Sequence, residues 1–502
     1  MAVSWTWDLL AYISGSFVSI ASDVMCHKAP ITAMRGITGR SIDSRVASPG
    51  SLTCTLDNGE SNSAGLLGYY SPDHANMRAN FGRNTIVQLK ITSGGNTRYL
   101  WRGYITDLQP TPGRYKDRES HLTATDFMQR MAEHRLDLIP VQEDKRSDQL
   151  VQTILSNMSV TPINDSIETD KFTLPFALSS EMDEKSTAMS AMQKVCQTVL
   201  GYIYIRGDIS DGETFVFQRE ETRARQASAA TLNNTMSELR TSRNVDELKN
   251  KVIGLTHPVR VDESADTLLY ELDNEIPLDG GDTQVVTFKY KDPNNQAIRI
   301  SATDVVTPLV ADTHYRMSAY ANGVANDMTS SLSITPTVGG NAVEAELENT
   351  GGQRGFINLI NIFGKGIYYY NPVEHSVESG AGDRPITYDF FYLSDPYRAK
   401  GFLQALHYRA STELTHVDSV SFLADYDATL MGYAMTVDIG DRVTIVEAAT
   451  GLSDDYTINK ITYTIQTNGT LKVDWALEPA DAHTYFTLNS SQLNGSHVLS
   501  PY

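Results

Sequence analysis

Apolar and polar residues alternate with a period of two along several short runs between residues 49 and 127. In one run Leu52, Cys54 and Leu56 share one face of the chain, and the threonines between them share the other; the run at 85–91 alternates in the same way. Such alternation is typical of half-buried antiparallel strands, and the Gly, Asn, Asp and Pro clusters between the runs are typical of turns. The stretch is therefore predicted to form a small closed or nearly closed β-barrel, followed by a helix.

The composition favours a large, mainly β protein that does not hold nucleic acid. The chain has 502 residues, which is enough for three or four domains, and its 25 tyrosines favour β-structure over helix bundles. Its formal net charge is −20, and no block of Lys and Arg occurs. Because proteins that grip phosphates need a basic patch, stable DNA binding is not expected.

A helical pattern replaces the strand pattern after residue 136. Two stretches, 147–158 and 185–200, carry apolar residues at helical spacing, and a strand pair joined through Asp211-Gly212 follows them. The range 137–243 is therefore predicted to be a small helix-and-sheet domain. The two apolar stripes comprise Leu150, Val151, Ile154, Leu155 and Met158 in the first helix, and Met189, Met192, Cys196 and Val199 in the second.

The second half of the chain returns to strand character. Short strands with Asn, Gly and Pro turns between them predict an inserted antiparallel β-sandwich over 276–375. Strands on both sides of this insert, at 244–275 and 376–485, are predicted to form a second β-barrel. The Ser- and Asn-rich end, 486–502, is predicted to be a peripheral or flexible tail.

Two local signals lie inside the range 376–485. Asp395 and Pro396 predict the start of a helix, as N-cap and first helical residue. Near the end, two alternating runs flank Asn468-Gly469, which predicts a hairpin with a type I′ turn.

The order of these pieces resembles the tail-hub proteins of bacteriophages. Those are minor tail proteins at the tip of long-tailed phages, related in fold to the central hub of contractile baseplates. The resemblance covers most of 20–480. It rests on the order of five short motifs along the chain. They are Leu-Asp-Asn-Gly at 56–59, Ser-Pro at 71–72, Trp-Arg-Gly-Tyr-Ile at 101–105, Thr-Ala-Thr-Asp at 123–126, and Gly-Asp-Arg-Val at 440–443, which precedes the terminal hairpin.

The resemblance implies a mainly β fold with α/β parts and a structural role in the virion. It implies two hub-type β-barrel tube domains, the first at 1–136 with its N-terminal arm and the second divided by the insert. The chain would form a homotrimeric ring at the distal end of the tail, assembled in the host cytoplasm. Its partners would be the tail tube or a distal tail ring protein, the tape-measure protein, and tip or fibre proteins, with DNA passing only transiently through the lumen.

The sequence offers no arrangement of catalytic, cofactor-binding or metal-binding residues that rises above chance. Nucleophile elbows, phosphate-binding loops, zinc-protease motifs and EF-hand loops do not occur, so no enzyme activity and no cofactor are expected. Asp425 and Asp427 could form a carboxylate pair on a strand, but a solvated strand edge explains them equally well. The acidic run at 208–212 lacks calcium-loop spacing and predicts a turn.

The cysteines and the N-terminus also predict structural roles. Cys54 and Cys196 are expected in the core, and Cys26 lies in a loop-like region without a metal-ligand spacing. The aromatic N-terminal segment at 5–13 carries Asp8 and no basic region, so it predicts an arm or edge strand rather than a signal peptide. No segment of the sequence approaches the length of a membrane span.

Two alternative functions remain open at the level of the sequence. The first is the hub of a phage-derived contractile injection device, in which protein rather than DNA passes through the lumen. The second is a carbohydrate-binding or carbohydrate-cleaving β-protein, for which Tyr368, Tyr369 and Tyr370 in the insert could supply aromatic surface.

Overall fold

The chain is mainly β, with small α/β parts, as the sequence predicts. The computed structural model describes residues 3–39, 44–111, 118–136, 138–179, 186–242, 248–323, 326–380, 384–411 and 415–480. The predicted tail at 486–502 lies outside these ranges. The largest sheet has thirteen strands, which come from both ends of the chain.

The N-terminal strands close into a ring, which we call the first ring. The elements are β1 (Trp5–Ile13), β2 (Ser16–Ser19), β3 (Ile31–Gly36), β4 (Ser48–Asp57), β5 (Ile86–Ser93), β6 (Asn96–Thr111), β7 (Glu119–Thr125) and α1 (Phe127–Glu133). Strands β2, β1, β5, β6, β7 and β4 pair in that order, and β3 continues the sheet beyond β4. After β2 the chain returns to β4, where Val24 bridges Leu56 and the Met25 amide donates to the Thr55 carbonyl at 2.8 Å.

The alternation predicted for this region is confirmed, since Leu52, Cys54 and Leu56 are all buried. The N-terminal segment is an integral strand, because β1 pairs with both β2 and β5. The aromatic arm is therefore an intramolecular part of the first ring.

A small α/β unit packs against the first ring. Its helices confirm both predicted stripes, and its core is continuous with that of the thirteen-stranded sheet. The elements are β8 (Gln142–Arg146), α2 (Ser147–Asn157), β9 (Asn164–Ile167), β10 (Thr173–Ala177), α3 (Ala188–Val199), β11 (Tyr202–Arg206), β12 (Thr214–Gln218) and α4 (Glu220–Arg225).

The middle of the chain begins with two strands that belong to the thirteen-stranded sheet, β13 (Ser228–Leu232) and β14 (Glu238–Ser242). The elements that follow form an insert and a neighbouring sheet. They are β15 (Lys251–Thr256), β16 (Val259–Val261), β17 (Thr267–Glu271), β18 (Ile276–Leu278), β19 (Thr283–Lys289), β20 (Lys291–Asp292), β21 (Asn295–Arg299), β22 (Ser301–Thr303), β23 (Tyr315–Ser318), β24 (Leu332–Val338), β25 (Ala342–Asn349), β26 (Gly355–Tyr369), β27 (Val373–Glu378), β28 (Pro385–Phe390) and α5 (Pro396–Ser411).

The insert has two larger sheets and a two-stranded one formed by β20 and β21, and its neighbouring sheet carries one helix. Strand β26 pairs with β16, β17, β18, β22 and β23, and β19, β25 and β24 form the facing sheet around a separate core. Strand β15 pairs with β27 and β28 under α5, around a core of its own.

This pairing differs from the predicted division of the second barrel. The range 244–275 contains β15, β16 and β17, and all three pair within the insert or its neighbouring sheet rather than with the thirteen-stranded sheet. An alternating run identifies a strand but not its partner, because partners are chosen by contacts between residues that lie far apart in sequence.

The C-terminal strands form a second ring. The elements are β29 (His416–Leu423), α6 (Ala428–Thr436), β30 (Arg442–Glu447), β31 (Leu452–Ile465) and β32 (Leu471–Pro479). The strand order is β13, β30, β31, β32, β29 and β14, and residues 233–237 join β14 back to β13. Strand β31 also pairs with β3 through residues 460–465, so the two rings share one sheet.

Two local predictions have different outcomes. The start of α5 is confirmed, because the Tyr397 amide donates to Asp395 Oδ1 at 2.9 Å and the helix begins at Pro396. The prediction of a type I′ turn between β31 and β32 is wrong. Such a turn needs a positive φ at both Asn468 and Gly469, and only Gly469 has one, +83°. The last strand pair is Ile465 with Leu471, so five residues lie between the strands, and within this loop the Gly469 amide donates to the Gln466 carbonyl.

Gly36 controls the junction of the two rings, and its replacement tests that role. It has φ +123°, and a Cβ there would lie 2.3 Å from the Asn459 carbonyl oxygen of β31. We expect Gly36→Ala to lower the free energy of unfolding by about 3 kcal/mol or more, measured by urea denaturation. Gly15→Ala is the control, because Gly15 has φ +91° but a Cβ there would have no atom within 4 Å, so only about 1 kcal/mol is expected from strain. Equal losses in both variants would show that the close approach at Gly36 is unimportant.

Candidate functional site

A buried ion pair joins the first ring to the second, and we call it the central ion pair. Arg35 on β3 and Asp438, between α6 and β30, are only 2% and 1% exposed at their side chains. Arg35 Nη1 donates to Asp438 Oδ1 at 2.7 Å, and Nη2 donates to Oδ2 at 2.9 Å. This two-pronged geometry fixes both the distance and the angle between the strands that carry the pair.

The central ion pair also holds the α/β unit. Arg35 donates from Nη1 to the Ile205 carbonyl of β11 at 2.8 Å and from Nε to the Leu100 carbonyl of β6 at 3.0 Å. The Gly207 amide donates to Asp438 Oδ2 at 3.0 Å. Two side chains therefore tie together the first ring, the second ring and the α/β unit.

Flanking arginines compensate the charge of Asp438. Arg98 Nη2 lies 3.2 Å from Asp438 Oδ2, and Arg206 contributes charge from β11. Burial by itself raises the pKa of Asp438, but the guanidinium of Arg35 and then that of Arg206 outweigh burial and hold this pKa below its usual value. Asp438 therefore carries its negative charge at neutral pH.

A second buried network joins the α/β unit to α5 and to the last strand. Arg45, in the connection between β3 and β4, lies 2.6 Å from Glu220 of α4 and donates to the Leu200 carbonyl at 2.9 Å. Glu220 also binds Arg409 of α5 at 2.8 Å, and Arg409 contacts Glu478 of β32. The network thus connects four separate elements through charged side chains.

The pKa of Glu478 reports how well its charge is compensated in this network. Burial raises it, but Arg409 and then Arg223 outweigh burial and lower the pKa from 4.5 to about 2. Glu478 therefore stabilises the fold in its ionised form.

The structure gives backbone partners to both members of the suggested carboxylate pair. Asp427 is the N-cap of α6 and accepts from the Thr429 and Leu430 amides at 2.8 and 2.9 Å. Asp425 lies in a 3₁₀ turn and accepts from the Leu471 amide at 3.3 Å. The assumption that both lie on one strand is wrong, because a turn and a helix cap separate them.

The acidic run at 208–212 forms the predicted turn. Asp208 Oδ1 accepts from the amides of residues 210, 211 and 212, and the backbones of Asp208 and Tyr99 exchange two hydrogen bonds. Although burial raises the pKa of Asp208, these hydrogen bonds lower it overall. The turn is thereby fastened to β6 of the first ring.

The cysteines lie where the sequence places them. Cys54 and Cys196 are buried, and burial raises the pKa of the Cys54 thiol to about 12. Cys26 is half-buried, and burial raises its pKa as well. Within the described ranges, no group of three or more His, Cys, Asp or Glu side chains could hold a metal ion.

Tyr368 and Tyr369 end β26 and point to opposite faces, and Tyr370 lies just after the strand. Tyr368 is half-buried and donates to Asp262 Oδ2 at 3.1 Å, whereas Tyr369 and Tyr370 are exposed. Tyr369 also hydrogen-bonds Ser179 of the α/β unit. The insert is therefore seated on that unit at this point.

Sequence reasoning missed the charged residues that join the domains. One signal could have found Arg35, because it lies two residues after Ala33 and four after Ile31, on the inward face of β3. A charged residue on an inward face needs a buried partner. Nothing in the sequence indicates that the partner is Asp438, about 400 residues away.

The fold is similar to those of phage tail proteins. No family model matches the sequence, and no curated protein matches it. The 43 kDa tail protein of prophage MuSo2 from Shewanella oneidensis has a TM-score of 0.51 and 10% identity, over 95% of this chain and 99% of that one. A tail protein from Neisseria meningitidis MC58 has a TM-score of 0.48 and 8% identity, over 94% and 96% of the two chains.

Prophage tail protein gp18 from Listeria monocytogenes EGD-e has a TM-score of 0.42 and 8% identity, over 94% and 95% of the two chains. The chain thus has the tail-protein fold over nearly its whole length, as the resemblance in its sequence implies. Among the described helices, none is long and apolar enough to span a bilayer.

Removing the charge of Asp438 tests the central ion pair. Asp438→Asn leaves the Arg35 guanidinium buried with only a neutral partner, so we expect the free energy of unfolding to fall by about 3–5 kcal/mol in urea denaturation. Asp312→Asn is the control, because Asp312 pairs with Arg316 at an exposed site and its loss should cost under about 1 kcal/mol. A loss at Asp438 no larger than that of the control would contradict the proposed role.

The pH dependence of stability tests the second network. Since the folded-state pKa of Glu478 is lowered, its contribution is complete above pH 4.5 and is lost as the pH falls towards 2. We expect Glu478→Gln to reduce the loss of stability between pH 5 and pH 2 by about 2 kcal/mol relative to the wild type, measured by chemical denaturation at each pH. The exposed Glu238 supplies the control as Glu238→Gln. Parallel pH curves for the wild type and Glu478→Gln would rule out this contribution.

Proposed function

We propose that this chain is a structural hub protein at the tip or baseplate of a phage tail. Three copies would form a ring that caps the tail tube, seats the end of the tape-measure protein and carries tip or fibre proteins. The ring would open as the conduit for DNA. The observation that carries this proposal is the presence of two strand rings in one chain, fused by β31 and β3 into a single sheet, in a chain with the fold of a tail protein.

The doubled ring supports a threefold assembly on a sixfold partner. Three copies of a chain with two similar rings present six rings around one axis. Such an assembly can dock onto a tube of sixfold symmetry without a gross mismatch. The α/β unit and the insert would then lie at the periphery, where they can contact tip or fibre proteins.

The free edges of the sheet indicate how the ring would close. Along the path β14, β29, β32, β31, β3, β4, β7 and β6, eight strands run between two edges. No described strand pairs with the outer edge of β14 or with residues 106–111 of β6 on the side away from β7. Exposed strand edges are templates for pairing, so we propose that β14 of one copy pairs with this part of β6 in the next.

The charge of the chain suits a lumen that DNA crosses without being held. Each contact between a phosphate and a Lys or Arg adds salt-dependent affinity and would retard passage. The net charge of −20 and the absence of a basic block in the sequence support transient contact only.

The oligomeric state is the first test. Mass photometry of the purified full chain is expected to show particles of three times 55.4 kDa. Particles that remain monomeric at every accessible concentration, including those used for negative-stain microscopy, would refute the ring.

Engineered disulfides test the edge pairing. Arg240→Cys on β14, combined in turn with Asp107→Cys, Gln109→Cys or Thr111→Cys on β6, samples one face of each edge. At least one combination is expected to give a covalently linked trimer on a non-reducing gel, whereas each single variant should give none. An intact trimer in which no combination forms a link would exclude this interface and leave the trimer itself standing.

A further inference from the structure

Two buried carboxyl groups lie where the first ring meets the α/β unit. Asp126 ends the connection from β7 and caps α1, with Oδ1 accepting from the Met128 amide at 3.1 Å. Glu213 precedes β12, and its Oε1 accepts from the Ile163 amide at 3.2 Å. Their exposed fractions are 1% and 0%.

Neither carboxyl group is in direct contact with a cationic side chain of the described residues. The Gly50 backbone lies against the Asp126 carboxyl and partly offsets the effect of burial on its pKa. Asp126 Oδ2 and Glu213 Oε2 are nevertheless buried without a well-aligned hydrogen-bond partner, and across the described ranges neither residue forms an ion pair. This distinguishes them from Asp438, whose two oxygens are both occupied. A buried carboxylate without a cation costs far more than its protonated form, because a neutral polar group loses less solvation on burial than a charge does.

The surroundings do not supply the missing cation. Arg35 faces Asp126, but its guanidinium is bound by Asp438. Arg102 faces Glu213, but its ion pair is with Asp211, whose Oδ1 lies 3.7 Å from Arg102 Nη1. Besides one another, the charged and titratable groups that face the two carboxyls are Arg35, Arg102, Tyr104, Asp208 and Asp211.

Burial raises the pKa of Asp126 from 3.8 to about 7, and the nearby Glu213 adds to the rise. Burial likewise raises the pKa of Glu213. For a carboxyl group whose folded-state pKa is raised, the stabilisation is complete below the unfolded value and is lost as the pH rises through the folded value. The contact between the first ring and the α/β unit should therefore be most stable at acidic pH and become less stable as the pH rises towards 7.

We propose that Asp126 and Glu213 form a pH-sensitive latch between the first ring and the α/β unit, closed while the pair holds a proton and loosened when both carboxyls ionise. The two residues are well placed for this, because the adjacent rings of Phe127 and Phe215 pack at 6.3 Å across the same contact. Loosening would free the turn at 207–213 from β6. This inference does not depend on the proposed function.

Hydrogen exchange measured by mass spectrometry on the full chain tests the latch. After correction for intrinsic exchange rates, wild-type peptides covering 126–133 and 207–213 are expected to exchange about tenfold faster at pH 8 than at pH 6. In Asp126→Asn with Glu213→Gln the ratio should fall to about one. Asn is a good N-cap, so α1 keeps its cap in the variant.

Asp427→Asn is the matched control, since it changes a half-buried N-cap in the same way, and it should keep the tenfold ratio. A wild-type ratio near one in these two peptides would overturn the latch, even if the double variant failed to fold. A double variant that folds and keeps the wild-type ratio would overturn it as well, because another group would then carry the pH dependence.

Discussion

The structure depends most on the pairing of Arg35 with Asp438. An arginine and an aspartate removed from water are tolerable only if their geometry and remaining hydrogen bonds are nearly ideal, so each fixes the position of the other. Arg35 satisfies this demand with contacts to the first ring, the second ring and the α/β unit at once. Apolar packing alone would permit small sliding between the two rings, whereas a buried two-pronged ion pair does not.

This constraint gives the two rings the properties of one rigid body. Strand β31 passes from the second ring to β3, and the central ion pair lies beside that crossing. The second network, through Arg45, Glu220 and Arg409, ties α5 and the last strand to the same body. A chain built in this way presents its two rings at a fixed angle, which is the geometric requirement for a closed ring of identical copies.

Local structure in this chain is readable from its sequence, and long-range pairing is not. The alternation at Leu52–Leu56 and the cap at Asp395 identify their elements correctly, because side-chain period and capping are properties of neighbouring residues. The sequence pattern places strands β15 to β17 in the wrong sheet, since the same alternation suits any half-buried sheet. The sequence pattern predicts that Arg35 points inward on β3. It does not predict the partner of Arg35, because that partner lies far away in the sequence.

We propose that two fused rings per chain build a threefold assembly with near-sixfold order. Cryo-electron microscopy of the purified full chain would show this assembly. We expect a closed trimer in which six strand rings surround one axis and the sheets of neighbouring copies join at β14 and β6. A monomer, or a ring of any number of copies other than three, would contradict it.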